Sequence, residues 1–171
     1  MGMMMRAAAV GVMTALLAVP AAGQSAAVRL DVPLVKQPYN LCLAASVSMV
    51  LRYWGIDVAP KTIGAQVAVY KDGTTGQDLV RFVEKFGLRG FLVQPPFEDL
   101  LVHLQKHRPL IVVLPAGKDR RHAVVLTGFD PVAEVVWVNN PALGEPRAIP
   151  YARFRAEWDA AHRWTLLIAP Q

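Results

Sequence analysis

Cysteine is almost absent from this sequence, since Cys42 is the only one in 171 residues. A single thiol excludes an internal disulfide, so Cys42 is a packed core residue, an intermolecular linker or a reactive group. A phosphate-binding loop of the pattern G-x-x-x-x-G-K-[ST] is also missing, because Gly117-Lys118 is followed by Asp119. We therefore expect no ATP-binding cassette fused to this domain.

Charged residues are sparse as well, at 18% of the chain, and the formal net charge is only +5. After residue 23 the single adjacent basic pair is Arg120-Arg121, so the chain lacks the basic clustering of nucleic-acid-binding proteins. A mildly basic surface suits acidic substrates or the anionic bacterial envelope, and solubility explains it equally well. We expect no nucleic-acid partner.

Apolar runs long enough to span a membrane are missing after residue 23. Before it, Arg6 precedes an apolar run at 7–19 and a small-residue ending at Gly23, which is the pattern of a secretory signal peptide. We expect residues 1–23 to be removed, with Ala26 as a second cleavage site and an uncleaved anchor as the alternative. Residues 27–171 then form one exported domain, in the periplasm or outside the cell.

Cys42 stands where a loop turns into a helix. Pro38 and Asn40 disfavour helix before it, residues 44–54 are almost all apolar or small, and Gly55 follows as a cap. In a first helical turn, free backbone N–H groups and the helix dipole favour a thiolate. Free cysteines on buried helices are also often plain core residues, so this stretch alone leaves both interpretations open.

The remaining pattern predicts an α+β domain, with helices first and an antiparallel sheet after them. Apolar spacing predicts helices at 62–70, 77–86 and 97–106, a turn at 71–74, and a capping pair of Thr75 with Asp78. Short apolar runs predict strands at 90–93, 110–114, 122–128, 134–139 and 164–169.

A metal site is not expected. His103 and His107 are four residues apart, a spacing that presents two ligands on one helix face. No carboxylate or cysteine nearby completes the set, so we expect neither a metal nor any other cofactor.

A hairpin carries the second chemical feature. Its turn is predicted at 128–133, and folding the chain about Pro131 sets His122 opposite Asn140, since each is nine residues away. Opposed residues on antiparallel strands have Cβ atoms about 4.5 to 5.5 Å apart, so the amide can orient the imidazole. A shift of one residue would select Asn139 instead. The alternative is a surface histidine beside an ordinary turn.

Taken together, these segments resemble the double-glycine (bacteriocin-processing) peptidase family, in its stand-alone exported branch. The resemblance includes residues 151–158 and rests on an ordered set: Gln37, Cys42, the helix segment MVLRYWG at 49–55, HAVVLTGFD at 122–130 and VNNP at 138–141. It implies a papain-like cysteine peptidase fold, in which a helical half carries the nucleophile helix and packs on an antiparallel β-sheet half.

The same resemblance implies roles for four residues. Cys42 is the nucleophile, His122 the base, Asn140 the residue that orients the base, and Gln37 an oxyanion-hole donor. This chain departs from the family pattern at Leu43, where glycine is usual, and at Asn140, where aspartate is usual. An asparagine holds an imidazolium less strongly than a carboxylate, because charge-assisted hydrogen bonds are stronger.

The resulting expectation is an exported peptidase that cleaves peptides or proteins, with small residues such as Gly-Gly before the cut. Two alternatives remain. A crowded cleft and a weaker triad would leave a peptide-binding module without turnover. The same thioester chemistry would also serve an acyl or peptidyl transferase.

Overall fold

The computed structural model describes residues 26–67, 76–118 and 120–171. The expected signal peptide at 1–23, the turn at 71–74 and Thr75 of the predicted capping pair lie outside these ranges. In the part of the chain that is described, no helix combines the length and the apolar character needed to cross a membrane.

Three helices follow one another after β1, and four strands follow one another after α4. The helices are α1 (Cys42–Tyr53), α2 (Pro60–Gln66), α3 (Gly76–Glu84), α4 (Phe97–Gln105) and α5 (Tyr151–Ala160). The strands are β1 (Val28–Arg29), β2 (Leu88–Val93), β3 (Leu110–Pro115), β4 (Arg121–Asp130), β5 (Val135–Asn140), β6 (Glu145–Pro150) and β7 (Thr165–Pro170).

All strand pairs of the described sheet are antiparallel. The order is β2-β7-β3-β4-β5-β6, and β1 pairs with Gly128 and Phe129 of β4, beyond the residues of β4 that pair with β3. This confirms the predicted α+β class, and each predicted strand is present within two residues of its expected bounds. Helix α2 starts earlier than predicted, because Pro60 fits the first helical position, where no N–H donor is needed.

Helix α1 packs against β4 in the core of the domain. Residues 44–51 are buried without exception, and the Ser46 hydroxyl donates to the Ala123 carbonyl at 3.3 Å. The helix ends as predicted at Gly55, whose φ of 81° is in the left-handed region. The N–H of Ile56 then bonds the Leu51 carbonyl at 2.9 Å, which closes a Schellman motif.

The predicted hairpin register between β4 and β5 is wrong by two residues. Strand β4 continues to Asp130, so the turn lies later than expected, and a bulge interrupts the ladder between Leu126 and Gly128. Val125 pairs with Asn139, so the continued register leaves His122 diagonal to Asn140 rather than opposite it. Because side chains alternate with a period of two, a shift of two residues keeps both on the same face.

The segment before α1 crosses the sheet and leads the chain to the cysteine. It pairs with β4 through β1, and the N–H of Leu30 donates to the Thr127 carbonyl at 2.7 Å. Gly128 is required at this crossing, because a Cβ there would collide with the Val28 carbonyl oxygen. The position of Cys42 is therefore set by strand pairing as well as by helix packing.

Candidate active site

Cys42 is the first residue of α1, as the sequence predicts, and its side chain is partly buried. Burial raises the pKa of the thiol, but other interactions outweigh it. Hydrogen bonding to the His122 side chain, to the backbone of Ala123 and to the backbone of Leu43, together with the charge of His122, lowers the pKa below its ordinary value. The environment therefore favours a thiolate.

His122 is the second residue of β4 and interacts with both Cys42 and Asn140. Its Nε2 atom is 2.8 Å from the Asn140 Oδ1 atom. Burial lowers the pKa of the imidazole, but hydrogen bonds to Cys42 and Asn140 and the charge of Cys42 raise it above its ordinary value overall. The two pKa shifts act in opposite directions, and both favour a thiolate–imidazolium pair.

The amide of Asn140 fixes which imidazole nitrogen carries a proton. Its Oδ1 atom also accepts the N–H of Ala142 at 3.0 Å, so the oxygen and not the NH₂ group must point at His122. An oxygen accepts only, so Nε2 of His122 donates to it. Nδ1 is then the nitrogen left to exchange a proton with Cys42.

Asn139, the alternative partner of His122, has a different position. Its Nδ2 atom donates to the Val32 carbonyl at 2.8 Å, and the residue is only 4% exposed. It therefore ties β5 to the segment before α1. Of the two neighbouring asparagines, Asn140 is the one bonded to His122.

Gln37 lies beside the loop that follows Asn140. Its backbone N–H donates to the Pro141 carbonyl at 2.9 Å. Its side-chain Oε1 atom is buried and has no hydrogen-bond partner within the described residues. The structure thus joins the Gln37 segment to the Asn140 loop through the backbone.

A pocket of about 260 Å³ opens over Cys42 and His122. The sequence did not identify several of its lining residues, because they come from strands that are far apart in the chain. These are Val113 of β3, Arg121 of β4 and Trp164 just before β7. Leu43, the departure noted from the family pattern, also lines this pocket.

His103 and His107 do not lie on one face of a helix. Helix α4 ends before His107, whose φ of 56° is left-handed. The His107 carbonyl accepts the hydroxyl of Tyr53 at 3.1 Å. Within residues 26–67, 76–118 and 120–171, no group of three or more His, Cys, Asp or Glu side chains is arranged to hold a metal ion.

The model of the Peptidase_C39 like family matches residues 29–165 of this chain, and this range includes the whole site. The chain belongs to this family. No curated protein matches the sequence.

Solved structures of C39-type peptidases share this fold. A C39-like peptidase from Bacillus anthracis superposes with a TM-score of 0.73 at 17% identity, over 86% of this chain and 99% of that one. The peptidase domain of Streptococcus ComA, a bifunctional ABC transporter involved in a quorum-sensing pathway, superposes with a TM-score of 0.67 at 22% identity. The match covers 81% of this chain and 98% of that one.

A third similar structure is a double glycine motif protease from an AMS/PCAT transporter, solved in complex with its leader peptide. It gives a TM-score of 0.64 at 26% identity, over 86% of this chain and 100% of that one. Family and fold together support a cysteine peptidase of the double-glycine type, and they confirm the resemblance drawn from the sequence.

Proposed function

We propose that this C39-family protein is an exported peptidase that hydrolyses peptide bonds with Cys42, His122 and Asn140 as its triad. One observation carries the proposal: Cys42 and His122 line the same pocket, and their interaction lowers the pKa of the thiol while raising that of the imidazole. A pair of this kind is the resting state from which a cysteine attacks a carbonyl.

In the acylation step the Cys42 thiolate attacks the scissile carbonyl carbon, and a carbon–sulfur bond forms. The His122 imidazolium gives its Nδ1 proton to the leaving nitrogen, the peptide C–N bond breaks, and an amine departs. In the second step His122 takes a proton from water, and the hydroxide hydrolyses the thioester. The carboxylic acid leaves and the thiolate is restored.

Asn140 keeps His122 in the orientation that this exchange needs. Its oxygen is held by the Ala142 N–H as well as by His122 Nε2, so the amide is fixed from both sides. A fixed partner at Nε2 maintains one tautomer and one ring plane, which is the role of the third member of a triad.

Gln37 supplies one donor to the oxyanion and the backbone N–H of Cys42 supplies the other. The Gln37 segment is bonded to the Asn140 loop at Pro141, so the donor and the orienting amide move together. Losing one oxyanion donor lowers turnover about 10²- to 10³-fold in comparable enzymes, and we expect a loss of this size for Gln37→Ala.

We expect small residues such as Gly-Gly before the cleavage site. Leu43 and Trp164 both line the pocket of about 260 Å³ that holds the thiol, and their bulk favours small substrate residues there. The similar AMS/PCAT protein is described as a double glycine motif protease and was solved in complex with the leader peptide. We extend this preference to the present chain and place the enzyme in the periplasm or outside the cell, on the strength of residues 1–23.

A second candidate function is a peptide-binding module that cleaves little or nothing. Leu43 in the pocket favours it, because a leucine beside the thiol narrows access. Asn140 favours it too, since a neutral amide stabilises an imidazolium less than a carboxylate does.

Peptides that contain a single Gly-Gly step distinguish the two functions. The wild-type protein is expected to cleave them after the second glycine over many turnovers, and Cys42→Ala to cleave none while it keeps the same melting temperature. Cleavage by Cys42→Ala, or wild-type binding without any turnover, would rule out the peptidase proposal.

A further inference from the structure

Arg121 stands next to the catalytic pair and borders two pockets. It directly precedes His122 in β4 and lines the pocket that holds Cys42. It also lines a second pocket of about 440 Å³, together with Arg120, Gly117 and residues of the α5 end. A substrate chain that extends from the first pocket into the second passes Arg121.

The hairpin between β3 and β4 holds both arginines in place. Pro115 pairs with Arg121, the N–H of Ala116 donates to the Arg120 carbonyl at 2.9 Å, and Gly117 turns the chain with a φ of 90°. The next pair of the same ladder is Leu114 with His122. The backbone positions of Arg121 and His122 are therefore set by the sheet.

The positive charge of this hairpin is not balanced by its described neighbours. Among the described residues no carboxylate lines either pocket, and neither Arg120 nor Arg121 forms an ion pair. The carboxylates of α5 form ion pairs with other arginines. Glu157 pairs with Arg153 at 2.7 Å, and Asp159 pairs with Arg163 at 2.6 Å. Asp119 of the same hairpin lies outside the described ranges.

We propose that Arg121, assisted by Arg120, is a specificity-determining residue that binds a substrate carboxylate beside the scissile bond. This subsite rests on the peptidase function proposed above. An extended peptide advances about 3.3 Å per residue, so the carboxylate belongs to a Glu or Asp within about three residues of the cleavage site. Arginine suits this task because its guanidinium binds a carboxylate through two parallel hydrogen bonds.

Paired peptides test the subsite. Each pair contains one Gly-Gly step and differs only by Glu or Gln, placed in turn at each of the three positions on either side of the step. Both kcat/KM with the wild-type enzyme and the affinity of Cys42→Ala for each peptide are measured. Arg121→Ala and Arg121→Glu are compared with Arg89→Ala, which removes an exposed arginine from β2 that borders neither pocket.

At one position the wild-type enzyme is expected to prefer Glu over Gln by about fivefold in kcat/KM, since partly exposed ion pairs are of modest strength. Arg121→Ala is expected to abolish that preference. Arg121→Glu is expected to reverse it in favour of the Gln peptide, and Arg89→Ala is expected to leave it unchanged.

Other outcomes separate the subsite from the peptidase function. A preference for Glu that Arg121→Ala retains would overturn the subsite. Cleavage of both peptides at equal rates, in the wild type and in Arg121→Ala, would overturn the subsite and leave the peptidase intact. Binding that prefers Glu and depends on Arg121, without any cleavage, would support the subsite and reject the peptidase. Neither cleavage nor any preference in binding would overturn both.

Discussion

Asn140 Oδ1 lies 2.8 Å from His122 Nε2, whereas the neighbouring Asn139 turns to the opposite side and donates to Val32 at 2.8 Å. Successive residues of one strand point to opposite faces, so a single dipeptide supplies two separate functions. Asn140 is bonded to the imidazole, and Asn139 holds the segment that leads to Cys42.

Alanine at each asparagine separates these functions. Asn140→Ala is expected to lower kcat by about 10²-fold or more, because the tautomer and ring plane of His122 are no longer held, with little change in melting temperature. Asn139→Ala leaves the Val32 carbonyl without its partner and is expected to cost about 1 to 3 kcal/mol of unfolding free energy. Steady-state kinetics measure the loss of kcat, and thermal melts measure the loss of stability. A larger loss of kcat in Asn139→Ala than in Asn140→Ala would show that Asn140 does not orient His122.

Asn140→Asp restores the residue usual in this position of the family. The hydrogen bond to Asn140 already helps to raise the pKa of the His122 imidazole above its ordinary value. A carboxylate adds an opposite charge beside the ring, so we expect this pKa to rise further. The imidazolium then persists to higher pH, and the basic limb of the kcat/KM profile moves to higher pH. NMR titration of His122 checks the direction, and a fall in its pKa would contradict the role given to Asn140.

Leu43→Ala tests whether Leu43 restricts the substrate. Shortening this side chain enlarges the pocket beside Cys42, and alanine keeps the helical propensity of the first turn. Peptides with Ala or Ser in place of the second glycine are expected to gain several-fold in kcat/KM, while Gly-Gly peptides change little. An unchanged ratio between these peptides would exclude Leu43 as the restricting residue.

Two buried serines on α1 form a matched pair. Ser46 donates to Ala123 of β4 at 3.3 Å, and Ser48 donates to Val58 at 2.6 Å, away from β4. Each alanine variant is expected to lose about 1 kcal/mol of unfolding free energy. Only Ser46→Ala should slow the alkylation of Cys42, because its bond holds the helix against the strand that carries His122. Equal alkylation rates in the two variants would show that this bond does not align the pair.

The position of Cys42 at the start of a helix could be predicted because its signals are local. Pro38 and Asn40 exclude a helix before Cys42, and Asn40 indeed adopts a left-handed φ of 57°. Gly55 ends the helix for an equally local reason, since its φ of 81° suits glycine. The helix bounds therefore follow from short stretches of sequence.

The partner of His122 was identified for a reason that was only partly right. The register placed it directly opposite Asn140, but the later turn and the bulge at Leu126 and Gly128 make the relation diagonal. The alternation of side chains along a strand has a period of two, and it decides which face of the sheet a residue occupies. This alternation is easier to predict from a sequence than the length of the turn, which decides the register of the two strands.

The pocket walls could not be predicted from the sequence. Val113 and Trp164 meet because β7 and β4 lie on either side of β3, and this order is a property of the whole sheet. Strand β6 was missed because its sequence, EPRAIP, has no apolar alternation and is mostly exposed. It forms where β5 offers backbone partners from Val135 to Asn140.

The rate at which iodoacetamide alkylates Cys42, followed from pH 4 to 9 in the wild type and in His122→Ala, tests the central claim most directly. Burial raises the pKa of the thiol, but His122 and backbone hydrogen bonds lower it overall, so the thiolate forms at lower pH than in a free cysteine. We predict that the wild type still reacts rapidly well below pH ~8.5, the pKa of a free thiol.

His122→Ala removes the hydrogen bond and the charge that lower the pKa of the Cys42 thiol, while burial still raises it. The pKa of the thiol is therefore expected to rise in this variant. Its rate is predicted to fall about tenfold for each pH unit below ~8.5, as for an unperturbed thiol. The same tenfold decline in the wild type would contradict the account, because it would mean that Cys42 and His122 form no thiolate–imidazolium pair.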